Sequence, residues 1–201
     1  MKFYFSGCSF SWGTGLDDKK DRWTKLVSDH FGAEEHNIAC GGGSNDRMIR
    51  RLMLDDDSED YNIYFMQLTL PSRTEFFDDT FKKWRTIHPL KTFGKSKKEW
   101  KNIYYPSIES YYKKLYNKTY GDTNEQVVYK SINAYLSHKP IVWSTLRSAR
   151  YHNSDEGTST VPVDICIGKP YPFLPCGHPT IEGHRMIADE MISIVKKRGI
   201  L

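Results

Sequence analysis

The sequence has no long hydrophobic run. Nothing in its 201 residues approaches the roughly 18 consecutive apolar residues that a membrane-crossing helix needs, so no membrane span is expected. Cysteine is scarce: Cys8, Cys40, Cys166 and Cys176 are all there are, and they form no paired spacing. That excludes a disulfide-stapled scaffold and points to a reduced, intracellular protein. No apolar stretch with a cleavage site opens the chain, which begins at once with strand-like residues, so no secretory signal is expected. Neither a G-x-G-x-x-G fingerprint nor a Walker motif occurs, which argues against a dinucleotide or phosphate-cradling loop. Repeats, low-complexity tracts and linkers are also missing, so a single domain over 1–201 is expected.

Charge of one sign is nearly balanced by the other. Lys and Arg total 29 against 25 Asp and Glu, a net of +4. Lys95, Lys97, Lys98, Lys101, Lys113, Lys114 and Lys118 do alternate with tyrosines, a pattern able to track a nucleic-acid backbone. The excess is small beside that of a nucleic-acid binder, so these lysines read as a solvated helical face over packed tyrosines. Nucleic acid is not expected as a partner.

What is present begins at Lys2-Phe3-Tyr4-Phe5-Ser6, an aromatic run that reads as a buried strand. The turn Gly7-Cys8-Ser9-Phe10-Ser11-Trp12-Gly13-Thr14-Gly15 follows. A strand ending in small residues places a side chain at the rim of a sheet, and in open α/β sheets ligands sit beyond the carboxyl ends of the strands. Ser9 is the candidate nucleophile there. Residues 21–31 have helical spacing, with Gly32 as C-cap. A strand is expected over 33–39, a glycine-rich turn over 40–46 and a helix to about Asp56. Residues 61–70 are the strongest strand signal, nearly continuous and apolar. From Phe76 to about Lys101 no period is visible, and this reads as an irregular insertion near the site. Helices are expected over 103–118 and 124–138, and a strand over 139–144. A polar loop should cover 147–161 and a short strand 163–167, before a last helix running to about Arg198. Alternating strands and helices imply α/β architecture with a parallel, doubly wound sheet.

Three patterns recur in order along this frame. Gly7-x-Ser9 is followed by Gly13 and Gly15; Asn37 precedes Gly42 by five residues; His178-Pro179 precedes Gly183-His184 and Ala188. Together, spanning residues 7–184, they resemble the sequence blocks of the SGNH (GDSL-type) hydrolases. The resemblance implies a flavodoxin-like three-layer sandwich of about five parallel strands. It also implies hydrolysis of an acyl ester, of the carboxylic-ester or acetyl-ester kind, on a small-molecule or carbohydrate substrate and without cofactor or metal. Ser9 would be the nucleophile and His178 the base, with the N–H groups of Ser9 and Gly42 forming the oxyanion hole. The family's third-block asparagine is replaced by Thr69, with Asn45 as an alternative donor. Arg73 would lie near the site, pairing with Glu75 or with an anionic part of the substrate. The family's Gly-Asp-Ser reads Gly-Cys-Ser, and Pro175 or Cys176 stands where the triad aspartate belongs. His178 would then be oriented by a backbone carbonyl, by water, or by a carboxylate such as Asp164 or Asp155. His184 reads as a packing or capping residue of the last helix. Two other readings stay open: a binding protein that kept the fold and lost the chemistry, and a zinc site built from Cys8, Cys40, Cys176 and His178.

Overall fold

The computed structural model describes residues 1–54, 61–89, 99–146, 159–167 and 171–201, with the backbone alone for 99–103. In chain order it contains β1 (Lys2–Ser6), α1 (Ser9–Trp12), α2 (Trp23–His30), β2 (Glu34–Asn37), α3 (Asn45–Leu54) and β3 (Ile63–Leu68). These are followed by β4 (Thr74–Asp78), β5 (Lys83–Ile87), α4 (Glu99–Lys114), α5 (Lys118–Tyr135), β6 (Ile141–Thr145), β7 (Ile165–Cys166) and α6 (Ile181–Lys197). None of the described helices is long and apolar enough to cross a membrane.

Five strands form one sheet in the order β2-β1-β3-β6-β7, every neighbouring pair parallel. Parallel strands covered on both faces must be apolar on both, and β1 and β3 are. Alternation sends Phe3, Phe5, Ile63 and Phe65 to one face, where Trp23 and Val27 of α2 and Ile187, Met191 and Val195 of α6 cover them. Phe5 stacks on Phe65 with centroids 4.7 Å apart. Tyr4, Tyr64, Met66 and Leu68 point the other way, against Met48 and Leu52 of α3 and Val128 and Ile132 of α5. At about 1.5–3 kcal/mol for each fully buried large side chain, these two layers dominate the driving force for folding. The result is the three-layer, doubly wound α/β sandwich expected.

Over 76–89, the first described part of the irregular insertion expected around 76–101, the chain is instead mostly a hairpin. β4 and β5 pair antiparallel as a separate two-stranded sheet. Asp78 makes the turn: its buried carboxylate accepts the N–H groups of Thr80 and Phe81, both at 3.1 Å, and pairs with Arg85 at 3.0 Å. Phe76 and Ile87 pack on Ile108 of α4, which fastens the hairpin to the body. The helices expected over 103–118 and 124–138 each start earlier, at Glu99 and Lys118. The helix end near Asp56, Lys95, Lys97, Lys98 and the polar loop with Asp155 lie outside the described residues.

Candidate active site

The turns leaving β1, β2 and β3 meet on one rim. The first is the four-residue helix α1, with Cys8 as N-cap and Gly13 closing it at φ 75°. Ser9 occupies the first helical position and is 8% exposed. Its Oγ faces Cys8 Sγ at 3.8 Å. The turn is clamped from β3 by Gln67, which is fully buried. Gln67 Oε1 accepts the Cys8 N–H at 3.3 Å and the Ser11 hydroxyl, while its Nε2 donates to Cys8 Sγ at 3.1 Å. Gly7 lies so close that a Cβ there would stand 2.7 Å from Gln67 Cβ and 2.9 Å from Ser11 Oγ.

The second turn presses on the first. A Cβ on Gly43 would lie 2.7 Å from the Gly7 carbonyl oxygen, so only glycine permits this approach. Asn37 braces the pair: its amide donates to the Ser11 carbonyl and to Thr24 Oγ1, both at 2.9 Å. Gly42 sits at φ 76° with open space around it. Ser44 caps α3 by accepting the Arg47 N–H at 3.1 Å.

Asn45 and Thr69 are locked together. Asn45 Oδ1 accepts the Thr69 N–H at 2.8 Å and the Thr69 hydroxyl at 3.3 Å. A backbone N–H can only donate, so the oxygen must face Thr69 and the NH₂ must face away. That NH₂ is buried and has no acceptor among the described residues. The hydroxyl of Thr69 is thus committed to Asn45, and the uncommitted donor at this position is the Asn45 amide.

His178 arrives from the loop before α6. Its ring packs on Phe10, the residue after Ser9, with centroids 5.8 Å apart. Its Nδ1 faces Cys176 Sγ at 3.4 Å. The thiol therefore stands where the resemblance looked for a carboxylate. Burial, with the Arg73 charge nearby, holds the imidazole below its usual pKa. No Ser9–His178 hydrogen bond is made among the described contacts; hydrogen bonds of this kind often tighten only with substrate bound.

Three expectations change. Arg73 does not pair with Glu75. It reaches the Gly43 carbonyl at 3.4 Å, and Glu75 is held by the Arg50 fork at 2.9 and 3.1 Å. Asp164 is committed elsewhere: just before the start of β7, it accepts the N–H of Trp143 in the middle of β6 at 2.8 Å and pairs with Arg198 at 3.1 Å. Among the described residues, no three His, Cys, Asp or Glu side chains converge as the zinc reading requires. His184, expected to pack or cap within the last helix, caps a different one. It is fully buried, and its Nδ1 accepts the Trp23 N–H at the start of α2 at 3.2 Å. Gln67 was not anticipated; its only sequence signal is a lone amide inside an apolar strand.

No family model matches the sequence, and no curated protein matches it. Solved structures do. The psychrotrophic esterase EstA from Pseudoalteromonas sp., in a form inhibited by monoethylphosphonate, superposes with a TM-score of 0.55 at 13% identity, covering 98% of this chain and 97% of that one. TesA gives 0.57 at 12% identity, with all of both chains covered. A family two carbohydrate esterase from Clostridium thermocellum, in complex with cellohexaose, gives 0.56 at 11% identity over all of this chain and 65% of its own. At such identities the likeness is one of fold, and the fold of this chain is that of the SGNH (GDSL-type) hydrolases.

Proposed function

We propose that the chain is a serine esterase of the SGNH type, cleaving acyl esters through Ser9 and His178. The observation that carries this reading is convergence: the His178 ring rests on the residue next to Ser9, on the rim where the Gly42 loop and the Asn45 amide also end. With Nδ1 turned to Cys176, Nε2 is the nitrogen left to take the Ser9 proton. A serine hydroxyl is a weak nucleophile without such a base. Ser9 Oγ attacks the carbonyl carbon, and the oxyanion is met by the N–H groups of Ser9 and Gly42 and by Asn45 Nδ2. The Ser9 N–H opens a helix, where partial positive charge gathers. A buried donor without an acceptor costs about 1–3 kcal/mol, a cost that makes sense where an oxyanion will later form. Collapse expels the alcohol, protonated by His178. Water, deprotonated by His178, then releases the acyl group. Arg73, half-buried and with no carboxylate beside it among the described residues, would meet the substrate. The substrate is a small-molecule or carbohydrate ester, in keeping with the carbohydrate esterase of like fold.

A second reading, a binding protein on the same fold, is favoured by one feature: the thiol of Cys176 in place of a carboxylate. The two separate on treatment with a fluorophosphonate and mapping of the adduct. An esterase is labelled at Ser9 and not in Ser9→Ala. Folded protein that stays unlabelled for hours is the binding protein.

A further inference from the structure

Beside the Gly42 loop lies a cavity of about 360 Å³, walled on one side by Cys40, Gly41 and Gly42 and on the other by the β4–β5 hairpin. Three guanidinium groups line it, those of Arg47, Arg50 and Arg85, against one carboxylate, Glu75. Arg50 is already spent: it is clamped to Glu75 and stacked over Trp84 at 4.4 Å. Arg85 is held by Asp78. Arg47 is different. Among the described residues its guanidinium makes one hydrogen bond, to the neutral Ile38 carbonyl at 2.7 Å, which leaves a guanidinium lining the cavity with donors to spare. The charge of Arg51 also reaches this region, since with Arg47 it opposes the effect of burial on the Cys40 thiol.

We propose that this cavity binds an anionic group, a carboxylate, sulfate or phosphate, carried by the ester that Ser9 cleaves. The proposal rests on the esterase reading for the reaction, and on the cavity alone for the anion. A guanidinium fork matches the paired oxygens of such groups, and partial burial spares the interaction from full screening. The Gly41–Gly42 wall is shared by cavity and oxyanion loop. An ester with its carbonyl at Gly42 could therefore reach Arg47 with its remaining part, and recognition would select the substrate while taking no part in the chemistry.

Cys40 lines the cavity and the exposed Cys176 does not, so the two thiols give a test that needs no activity. Peptide-resolved alkylation of the intact protein should show anionic iodoacetate favoured over neutral iodoacetamide at Cys40, relative to the same ratio at Cys176, by roughly threefold to tenfold. Inorganic phosphate, sulfate and acetate, each added separately, should slow iodoacetamide at Cys40 and not at Cys176, and the protection should fall in Arg47→Gln. The second arm compares phenyl acetate with its para-carboxylate, para-sulfate and para-phosphate analogues. One or more anionic esters should exceed phenyl acetate in kcat/KM by roughly tenfold, about 1.4 kcal/mol, with the ratio collapsing in Arg47→Gln. The preferred analogue names the anion. Equal alkylation ratios at the two cysteines with no protection by any anion overturn the proposal, as does protection undiminished in Arg47→Gln. If Ser9 labels and phenyl acetate is hydrolysed without anion preference or protection, the anion site is wrong and the esterase stands. If anions protect Cys40 but Ser9 never labels, the esterase is wrong and the anion site stands.

Discussion

Gln67 and Cys8 hold each other in both directions: Cys8 N–H donates to Gln67 Oε1 at 3.3 Å, and Gln67 Nε2 donates back to Cys8 Sγ at 3.1 Å. The residue before the candidate nucleophile is thereby fixed to the central strand. Gln67→Leu keeps much of the volume and leaves the Cys8 N–H buried without an acceptor, a loss of about 1–3 kcal/mol for that group alone. The expected outcome is a lower urea midpoint together with slower fluorophosphonate labelling of Ser9. An unchanged labelling rate in folded Gln67→Leu would remove the positioning role.

Cys176 facing His178 Nδ1 creates a choice of tautomer. A carboxylate only accepts, and so forces the proton onto Nδ1 and leaves Nε2 free as base. A thiol can also donate, and S–H···Nδ1 leaves the proton on Nε2, where it cannot act. Cys176→Asp should therefore raise kcat for a short p-nitrophenyl ester, by up to the roughly 10⁴-fold that a triad carboxylate is worth. It should also move the acid limb of the pH profile upward, since a neighbouring carboxylate favours the imidazolium. In the wild type, burial and Arg73 lower the His178 pKa, so the base form should persist below pH of about 6.5. A faster wild type than Cys176→Asp would mean that another group orients the imidazole.

Asn45 and Thr69 should separate in their effects. Asn45→Ala removes the proposed donor and the acceptor of the Thr69 N–H, and should cost on the order of 10²–10³ in kcat. Thr69→Val removes only a hydroxyl that supports Asn45, and should cost far less. Equal losses would return the direct role to Thr69.

Acid should unfold this protein partly through a histidine outside the reaction. Burial, then the charges of Lys19 and His178, lowers the His184 pKa to about 4. A depressed histidine binds its proton in the unfolded chain first. Its contribution is thus intact above the unfolded value near 6.5 and is lost as pH falls through about 4. The span is worth about 3 kcal/mol. His184→Gln offers an amide acceptor to the Trp23 N–H without titrating, so its unfolding free energy should fall less between pH 6.5 and 4 than that of the wild type. Parallel curves for the two proteins would refute the linkage.

The elements that the sequence revealed are those whose physics is local. β1 and β3 are apolar on both faces because both are covered, and a continuous aromatic run says so. Gly42 and Gly43 announce a turn because a side chain there would be strained or would strike Gly7. The hairpin was hidden because only Phe76 and Ile87 of its strands pack inward while Phe77 and Trp84 are exposed, which blurs the alternation. Its turn is closed by the Asp78 carboxylate and not by an Asn-Gly pair. Arg50 taking Glu75 away from Arg73 depends on how α3 lies against β4, which no spacing within one segment encodes.

The bond from His184 to Trp23 joins residues 161 apart. During synthesis α2 must therefore wait for α6 before its first turn is capped. The aromatic face of β1 waits as well, because Ile187, Met191 and Val195 are its cover. A nascent chain carrying everything up to β7 presents Phe3, Phe5 and Phe65 half bare, a surface open to wrong partners. β1 is sealed only when α6, far along the chain, docks on it, so a chaperone that shields this face until then should raise the yield of folded protein.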